Sequence, residues 1–278
     1  MTRSTLQPST RIAFIGAGNM ASALASGLIR HGVPPAQLLA VDPAEEARNR
    51  LHDRLGVTVL AAPDATLGQS DLVVWAVKPQ SFRAAAQLAA PHVGQTAQLS
   101  IMAGIRLHDL VDATHANHIV RCMPNTPALI GHGMTALFAP ADVSAADRNL
   151  AEAVMRCAGD TIWVEREEHL DAVTALSGSG PAYVFYFLEA MQQAGTELGL
   201  TAAQARQLAQ QTFAGSAALA AGSEESLGTL RQRVTSKGGT TFAALTSMEQ
   251  SGIQSAFVQA MHAACTRAKE LGDEFGRV

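Results

Sequence analysis

Arg11-Ile-Ala-Phe-Ile-Gly-Ala-Gly-Asn-Met-Ala21 is the stretch on which the fold turns. Its first half, residues 11–15, has the short β-branched and apolar run of a buried parallel strand. Its second half, Gly16 to Ala21, is a G-x-G-x-x-A pattern that opens a helix predicted over 20–30. Small residues are required at such a junction. Gly16 permits the tight turn, Gly18 lets the backbone approach a pyrophosphate, and Ala21 lets the helix pack on the strand. An anion then rests on unsatisfied N–H groups at the positive end of the helix. A plain helix-entry turn would share the glycines, but the strand–turn–helix context favours a dinucleotide site.

The same alternation continues outward. Leu38-Leu-Ala-Val41, Asp71-Leu-Val-Val-Trp-Ala-Val77, Ala97-Gln-Leu-Ser-Ile-Met102 and His118-Ile-Val-Arg-Cys122 read as further buried parallel strands. Thr135-Ala-Leu-Phe138 and Asp160-Thr-Ile-Trp-Val164 look like two more. Helix-forming segments lie between them, so the class is α/β with a Rossmann-like doubly wound sheet. After Glu165 the texture changes to helical patterns over 167–176, 182–198, 202–221, 226–234, 241–251 and 253–275. The expected organisation is a dinucleotide-binding domain at 1–165 and an all-helical domain at 166–278. Tyr183-Val-Phe-Tyr-Phe-Leu188 is apolar on nearly every side, and a small helical domain needs a partner to cover it. Self-association through the helical domain is the economical explanation.

Composition narrows the class. With 47% hydrophobic and 16% charged residues in 278, the chain is globular rather than disordered. A net charge of −4 without a clustered basic stretch argues against nucleic acid. No run approaches the ~20 apolar residues of a membrane span, and residues 1–10 are too polar for a signal peptide. Cys122, Cys157 and Cys265 form no C-x-x-C pair, and His115 and His118 lack a third ligand, so no metal site is expected. A soluble protein of the reducing cytoplasm fits these features.

Several positions near strand ends carry chemistry. Asp42 ends the second strand, where an acid commonly accepts the adenosine ribose hydroxyls. It is equally suited to cap the next helix with Pro43, and Arg48 and Arg50 stand close enough in sequence to answer a phosphate. Val77-Lys78-Pro79-Gln80 ends another strand at the carboxyl edge, where ligands bind in open α/β sheets. Ser236-Lys-Gly-Gly-Thr-Thr241 leads into the helix over 241–251, and consecutive N–H groups at Gly238 and Gly239 would form an anion-binding nest. A capped helix start with a flexible turn is the bland alternative. Ser177-Gly-Ser179 lacks the G-x-S-x-G spacing of a nucleophile and reads as a tight bend.

Five segments in order resemble one family. They are Ile15-Gly-Ala-Gly-Asn-Met20, Val77-Lys-Pro-Gln80, Arg121-Cys-Met-Pro-Asn-Thr-Pro-Ala128, Leu176-Ser-Gly-Ser-Gly-Pro-Ala-Tyr183, and Val234-Thr-Ser-Lys-Gly-Gly-Thr-Thr-Phe-Ala-Ala-Leu245 with Met248-Glu249. Together they are similar to pyrroline-5-carboxylate reductases from Arg11 to about Arg267. The resemblance implies reduction of 1-pyrroline-5-carboxylate to L-proline by NADPH or NADH. It also implies a helical dimerisation domain and a homodimer assembled further, often into a decamer.

By resemblance, Thr241 lies against the imine nitrogen, and Ser236, Gly238, Gly239, Thr240 and Glu167 join it on the substrate. The cofactor set is Gly16, Ala17, Gly18, Asn19, Met20, Asp42, Ala76, Val77, Lys78, Pro79, Ala103 and Asn125. Three residues depart from the family pattern. Asp42 stands where relatives often carry a small or polar residue, Lys237 replaces a frequent proline, and Arg233 replaces an Asn. Two rivals remain at this level. A β-hydroxyacid dehydrogenase would need a Lys on the helix after the glycine bend, and residues 182–198 contain none. A non-catalytic NAD(P)H sensor would have no use for a carboxylate nest.

Overall fold

The computed structural model describes residues 6–276; residues 1–5 of the polar amino-terminal stretch, and 277–278, lie outside the described residues. Contacts divide the chain into two units, one running to residue 179 and resuming at 264, the other comprising residues 180–263.

In the first unit β1 (Ile12–Ile15), β2 (Leu38–Val41), β3 (Thr58–Leu60), β4 (Leu72–Trp75), β5 (Ala97–Ser100), β6 (Ile119–Met123), β7 (Gly133–Phe138) and β8 (Gly159–Trp163) form one sheet. Their order is β3-β2-β1-β4-β5-β6-β7-β8. All neighbours run parallel except β6 and β7. The connecting helices are α1 (Asn19–Arg30), α2 (Glu45–Leu55), α3 (Phe82–Val93), α4 (Leu107–Thr114), α5 (Ala145–Arg156) and α6 (His169–Val173). This is the Rossmann-like doubly wound arrangement that the alternating pattern predicts.

The two-residue period of β1 explains why both faces are filled. Ile12 and Phe14 bury against Leu24 and Leu28 of α1 and Val154 of α5. Ala13 and Ile15 belong to the opposite core with Phe82 and Ala86 of α3 and Leu110 of α4. Covered on both sides, β1, β4 and β5 are buried along their whole length. The outermost strand β8 alternates exposed and half-buried residues, as an edge does.

Two elements differ from expectation. β3 was not anticipated from the sequence; it is only 3 residues long and partly exposed, so it carries too little apolar pattern to be seen. The helix expected over 167–176 is broken into the one-turn α6 and a π-helical turn at Thr174–Gly178.

The α1–α5 contact gives a direct test of this packing. A methyl group on buried Gly27 would stand 2.3 Å from the carbonyl oxygen of Cys157, at the end of α5. Gly27→Ala should therefore force the helices apart and cost about 3 kcal/mol of stability. A loss of less than about 1 kcal/mol, from the urea midpoint shift multiplied by the m value, would show that α1 tolerates the displacement.

The second unit contains α7 (Gly180–Glu197), α8 (Ala202–Ala221), α9 (Leu227–Arg233), α10 (Thr240–Gln250) and the beginning of α11 (Ile253–Gly276). α7 and α8 pack closely because Gly195 faces Ala205; a Cβ at Gly195 would lie 2.8 Å from that of Ala205. Tyr183 and Phe187 stack edge-on or tilted against Phe257 at 5.8 and 5.6 Å. Yet among residues 180–263 only Ala205 and Ala209 are buried. Phe185 and Tyr186 are 59% and 69% exposed, and Leu208, Leu219 and Val258 are also open. Such an apolar surface marks an interaction face rather than a finished exterior. None of the helices among the described residues is long and apolar enough to cross a membrane.

Candidate cofactor and substrate sites

The glycine turn is held by the sheet beneath it. Gly16 donates to Val41 O at 2.7 Å and adopts φ +105°, a conformation L side chains rarely take. A Cβ there would meet Ala76 O at 2.7 Å, whereas a Cβ on Gly18 would meet nothing within 4 Å. The chain is closed under Gly16 and open over Gly18. Gly18 is the N-cap of α1 without any side-chain cap, so the first-turn N–H groups of the helix have no side-chain acceptor. That combination fits a pyrophosphate cradle.

The other strand ends converge on the same carboxyl edge. Asp42 follows β2; its Oδ2 accepts the Ala17 N–H at 2.8 Å and its Oδ1 accepts the Ala44 N–H at 2.9 Å. Ala76 and Val77 follow β4, with Ala76 N donating to Ile15 O at 2.8 Å. Lys78 stands at the N-cap of the short 3-10 helix Pro79–Ser81, with no capping bond from its side chain. Ala103 follows β5 and precedes Gly104, whose φ of +74° brings it under Phe275 and Leu271 of α11. Gly16, Ala17, Gly18, Asn19, Met20, Asp42, Ala76, Val77, Lys78, Pro79 and Ala103 thus line one edge of one sheet.

Two expected ligands are occupied within the first unit. Asn125 donates from Nδ2 to the carbonyl and hydroxyl oxygens of Ser177 at 3.2 Å, and its Oδ1 accepts the Met134 N–H at 2.9 Å. It fastens the segment after β6 to β7 and to the π-helical turn, with one acceptor site of Oδ1 left over. Ser177 and Gly178 belong to that turn rather than to a tight bend, and a Cβ on Gly178 would strike the Met123 methyl at 2.5 Å. Glu167, expected on the substrate, pairs through Oε1 with Arg121 and with the same oxygen accepts the Leu107 N–H at 2.6 Å at the start of α4.

The Arg121–Glu167 pair belongs to a charge network that sequence reasoning missed. Arg106 reaches Asp171 at 3.8 Å and Asp273 at 3.5 Å, tying α4, α6 and the end of α11 together. Burial pushes the Asp171 carboxyl above its ordinary value although the Arg106 guanidinium draws it down. One signal was available: Arg121 is a charge inside the otherwise apolar run of β6, and a buried charge requires a partner.

In the second unit the loop before α10 has the geometry of a nest. Gly238 takes φ +77°, and Gly239 donates to Ser236 O at 3.0 Å and is the N-cap of α10. No side chain caps that helix, so N–H groups of Thr240 and Thr241 in its first turn lack a side-chain acceptor. A Cβ at Gly239 would stand 2.7 Å from Ser236 Oγ and 3.1 Å from Ser236 O, so a larger residue there would turn that hydroxyl aside. Arg233 is turned away into an ion pair with Glu225 at 2.6 Å.

A Rossmann-type nucleotide edge joined to a helical unit with an uncovered apolar surface defines a dinucleotide-dependent enzyme of oligomeric build. Comparison with known proteins makes the class specific. Residues 167–271 match the family model for pyrroline-5-carboxylate reductase dimerisation, and residues 11–104 match that for NADP oxidoreductase, coenzyme F420-dependent. The pyrroline-5-carboxylate reductase of Pseudomonas aeruginosa is 42% identical over 96% of this chain and 98% of its own. That of Haemophilus influenzae is 41% identical over 94% and 97%. The solved reductase of Coxiella burnetii superposes with a TM-score of 0.86 at 37% identity, covering 95% of this chain and 98% of that one. The Plasmodium falciparum reductase, solved with NADP bound, gives 0.86 at 27%, covering 96% and 100%. The chain belongs to the pyrroline-5-carboxylate reductase family.

Proposed function

We infer that this protein reduces 1-pyrroline-5-carboxylate to L-proline, with NADPH or NADH as the hydride donor. Family membership along nearly the whole chain carries the reading, and it sets aside both a β-hydroxyacid dehydrogenase and a silent nucleotide sensor. When bound, a reduced nicotinamide would supply the hydride that the imine carbon receives. Each other part of the work is assigned to residues of the chain. Gly16 to Met20 receive the pyrophosphate on backbone N–H groups, Asp42 receives the ribose, and Ala76 to Pro79 with Ala103 form the floor of the edge. Ser236, Gly238, Gly239 and Thr240 receive the substrate carboxylate, an anion suited to an uncapped helix start. The Thr241 hydroxyl donates a hydrogen bond to the imine nitrogen and relays to it a proton taken from water as the ring carbon gains the hydride, so the hydroxyl is left unchanged. That hydrogen bond makes the carbon more electrophilic as charge develops, so its value is largest in the transition state.

The assembly we propose is a homodimer formed by the helical unit and built further into a larger homo-oligomer such as a decamer. The compartment we propose is the cytoplasm, which suits the buried free thiols Cys122 and Cys157.

Oxidation of NADH and NADPH in the presence of pyrroline-5-carboxylate tests the reaction directly. Tight nucleotide binding without turnover would return the protein to the sensor class. Thr241→Ala is expected to lower kcat about tenfold to hundredfold while KM changes only a few-fold, since a transition-state contact is removed. Unchanged turnover would remove Thr241 from the mechanism.

A further inference from the structure

We propose that Asp42 makes this enzyme prefer NADH over NADPH. The inference rests on the reading above and concerns the adenosine end of the cofactor. In sheets of this kind the adenosine ribose lies at the end of the second strand, which here is Asp42. Two backbone donors at fixed places, Ala17 N at 2.8 Å and Ala44 N at 2.9 Å, hold its carboxylate in one orientation against the glycine turn. Each oxygen retains further acceptor capacity. A pair of ribose hydroxyls, both donors, meets that need. A 2′-phosphate brings only acceptors and negative charge.

The surrounding charges do not rescue the phosphate. Among the described residues none makes an ion pair with Asp42. Glu45 and Glu46 occupy the first turn of α2 and add to the negative field. Arg48 is the cation next along the chain, but its guanidinium is held at the turn itself, one nitrogen donating at 2.8 Å to each of the Asp42 and Pro43 carbonyl oxygens. Arg50 sits with Arg54 in a small depression against Ser22 and Ser26 of α1. The strand end is therefore an acceptor for hydroxyls with its nearest arginine fastened to backbone.

The test uses the intact enzyme and two probes, adenosine 5′-monophosphate and adenosine 2′,5′-bisphosphate, whose dissociation constants are measured by calorimetry beside kcat/KM for NADH and NADPH. In the wild type the 2′-phosphorylated probe should bind about tenfold more weakly, with the same order in kcat/KM. Asp42→Asn removes the charge and keeps an acceptor for the Ala17 N–H; it should bring the two probes within about threefold. Arg48→Gln should leave the wild-type ratio in place. A wild type that binds both probes equally or favours the bisphosphate overturns the proposal, independently of how any variant folds. So does an unchanged ratio in Asp42→Asn, or a selective loss of the bisphosphate in Arg48→Gln, which would make Arg48 the phosphate reader. Absence of turnover with either cofactor, while the probes keep their order, would count against the reductase reading and leave this inference standing.

Discussion

Gly16→Ala should abolish useful nucleotide binding, raising the dissociation constant for NADH at least about a hundredfold, equivalent to about 3 kcal/mol. The residue combines two constraints that alanine fails separately. Its φ of +105° is outside the region open to L side chains. The added methyl would also stand 2.7 Å from Ala76 O and 3.0 Å from Val77 N. Those atoms follow β4, which pairs with β1 on one side and β5 on the other, so the backbone there has little freedom to retreat. The turn itself must move, and with it the open N–H groups of α1. Gly18→Ala is the informative contrast, because its methyl meets no protein atom within 4 Å. That variant should melt like the wild type and lose affinity only through contact with the ligand. Fluorescence titration with NADH, beside thermal melts of both variants, separates the two cases. Wild-type affinity in Gly16→Ala would mean that the turn is not the cradle.

The second large effect concerns assembly. A unit of 84 residues in which only Ala205 and Ala209 are buried has almost no interior of its own. On the proposed assembly its stability comes from surface covered by another chain. The wild type should therefore sediment at no less than twice the chain mass at micromolar concentration. Changing the exposed pair Phe185 and Tyr186 to glutamates places unpaired charges where apolar contact is needed, a loss of about 3–5 kcal/mol per face. The double variant should sediment as a monomer, melt in its helical unit first, and lose turnover. A monodisperse wild-type monomer would show that these side chains face solvent in the working enzyme.

What the sequence disclosed was local. The β1–turn–α1 junction was legible because strand periodicity, two glycines and a helix start fall within eleven residues. The nest before α10 was legible for the same reason. Long-range pairing left no such trace: Glu167 and Arg121 are 46 positions apart, and nothing in the pattern around Glu167 says that it accepts an N–H at the start of α4. Asn125 likewise reads as a polar residue at a strand end, available to a ligand, until Ser177 and Met134 are seen to use its amide. The π-helical turn at Thr174–Gly178 has the composition of any helix, so its extra residue per turn was invisible. Composition changes near Glu165, while contacts part between residues 179 and 180. The periodic run of α11 does not reveal that its residues from 264 onward rejoin the first unit.

That last feature bears on the order of events at the ribosome. The loop at Gly104 is covered by Leu271 and Phe275, and Arg106 reaches Asp273, all near the end of the chain. A nascent chain that has emerged to residue 179 has every strand of its sheet but not the helix that covers the loop after β5. At ordinary synthesis rates the intervening 84 residues take on the order of ten seconds to appear. Until then the α11 residues that cover the Gly104 loop, Leu271 and Phe275, are not present. The loop after β5 thus receives its cover only after the whole of the other unit has been made.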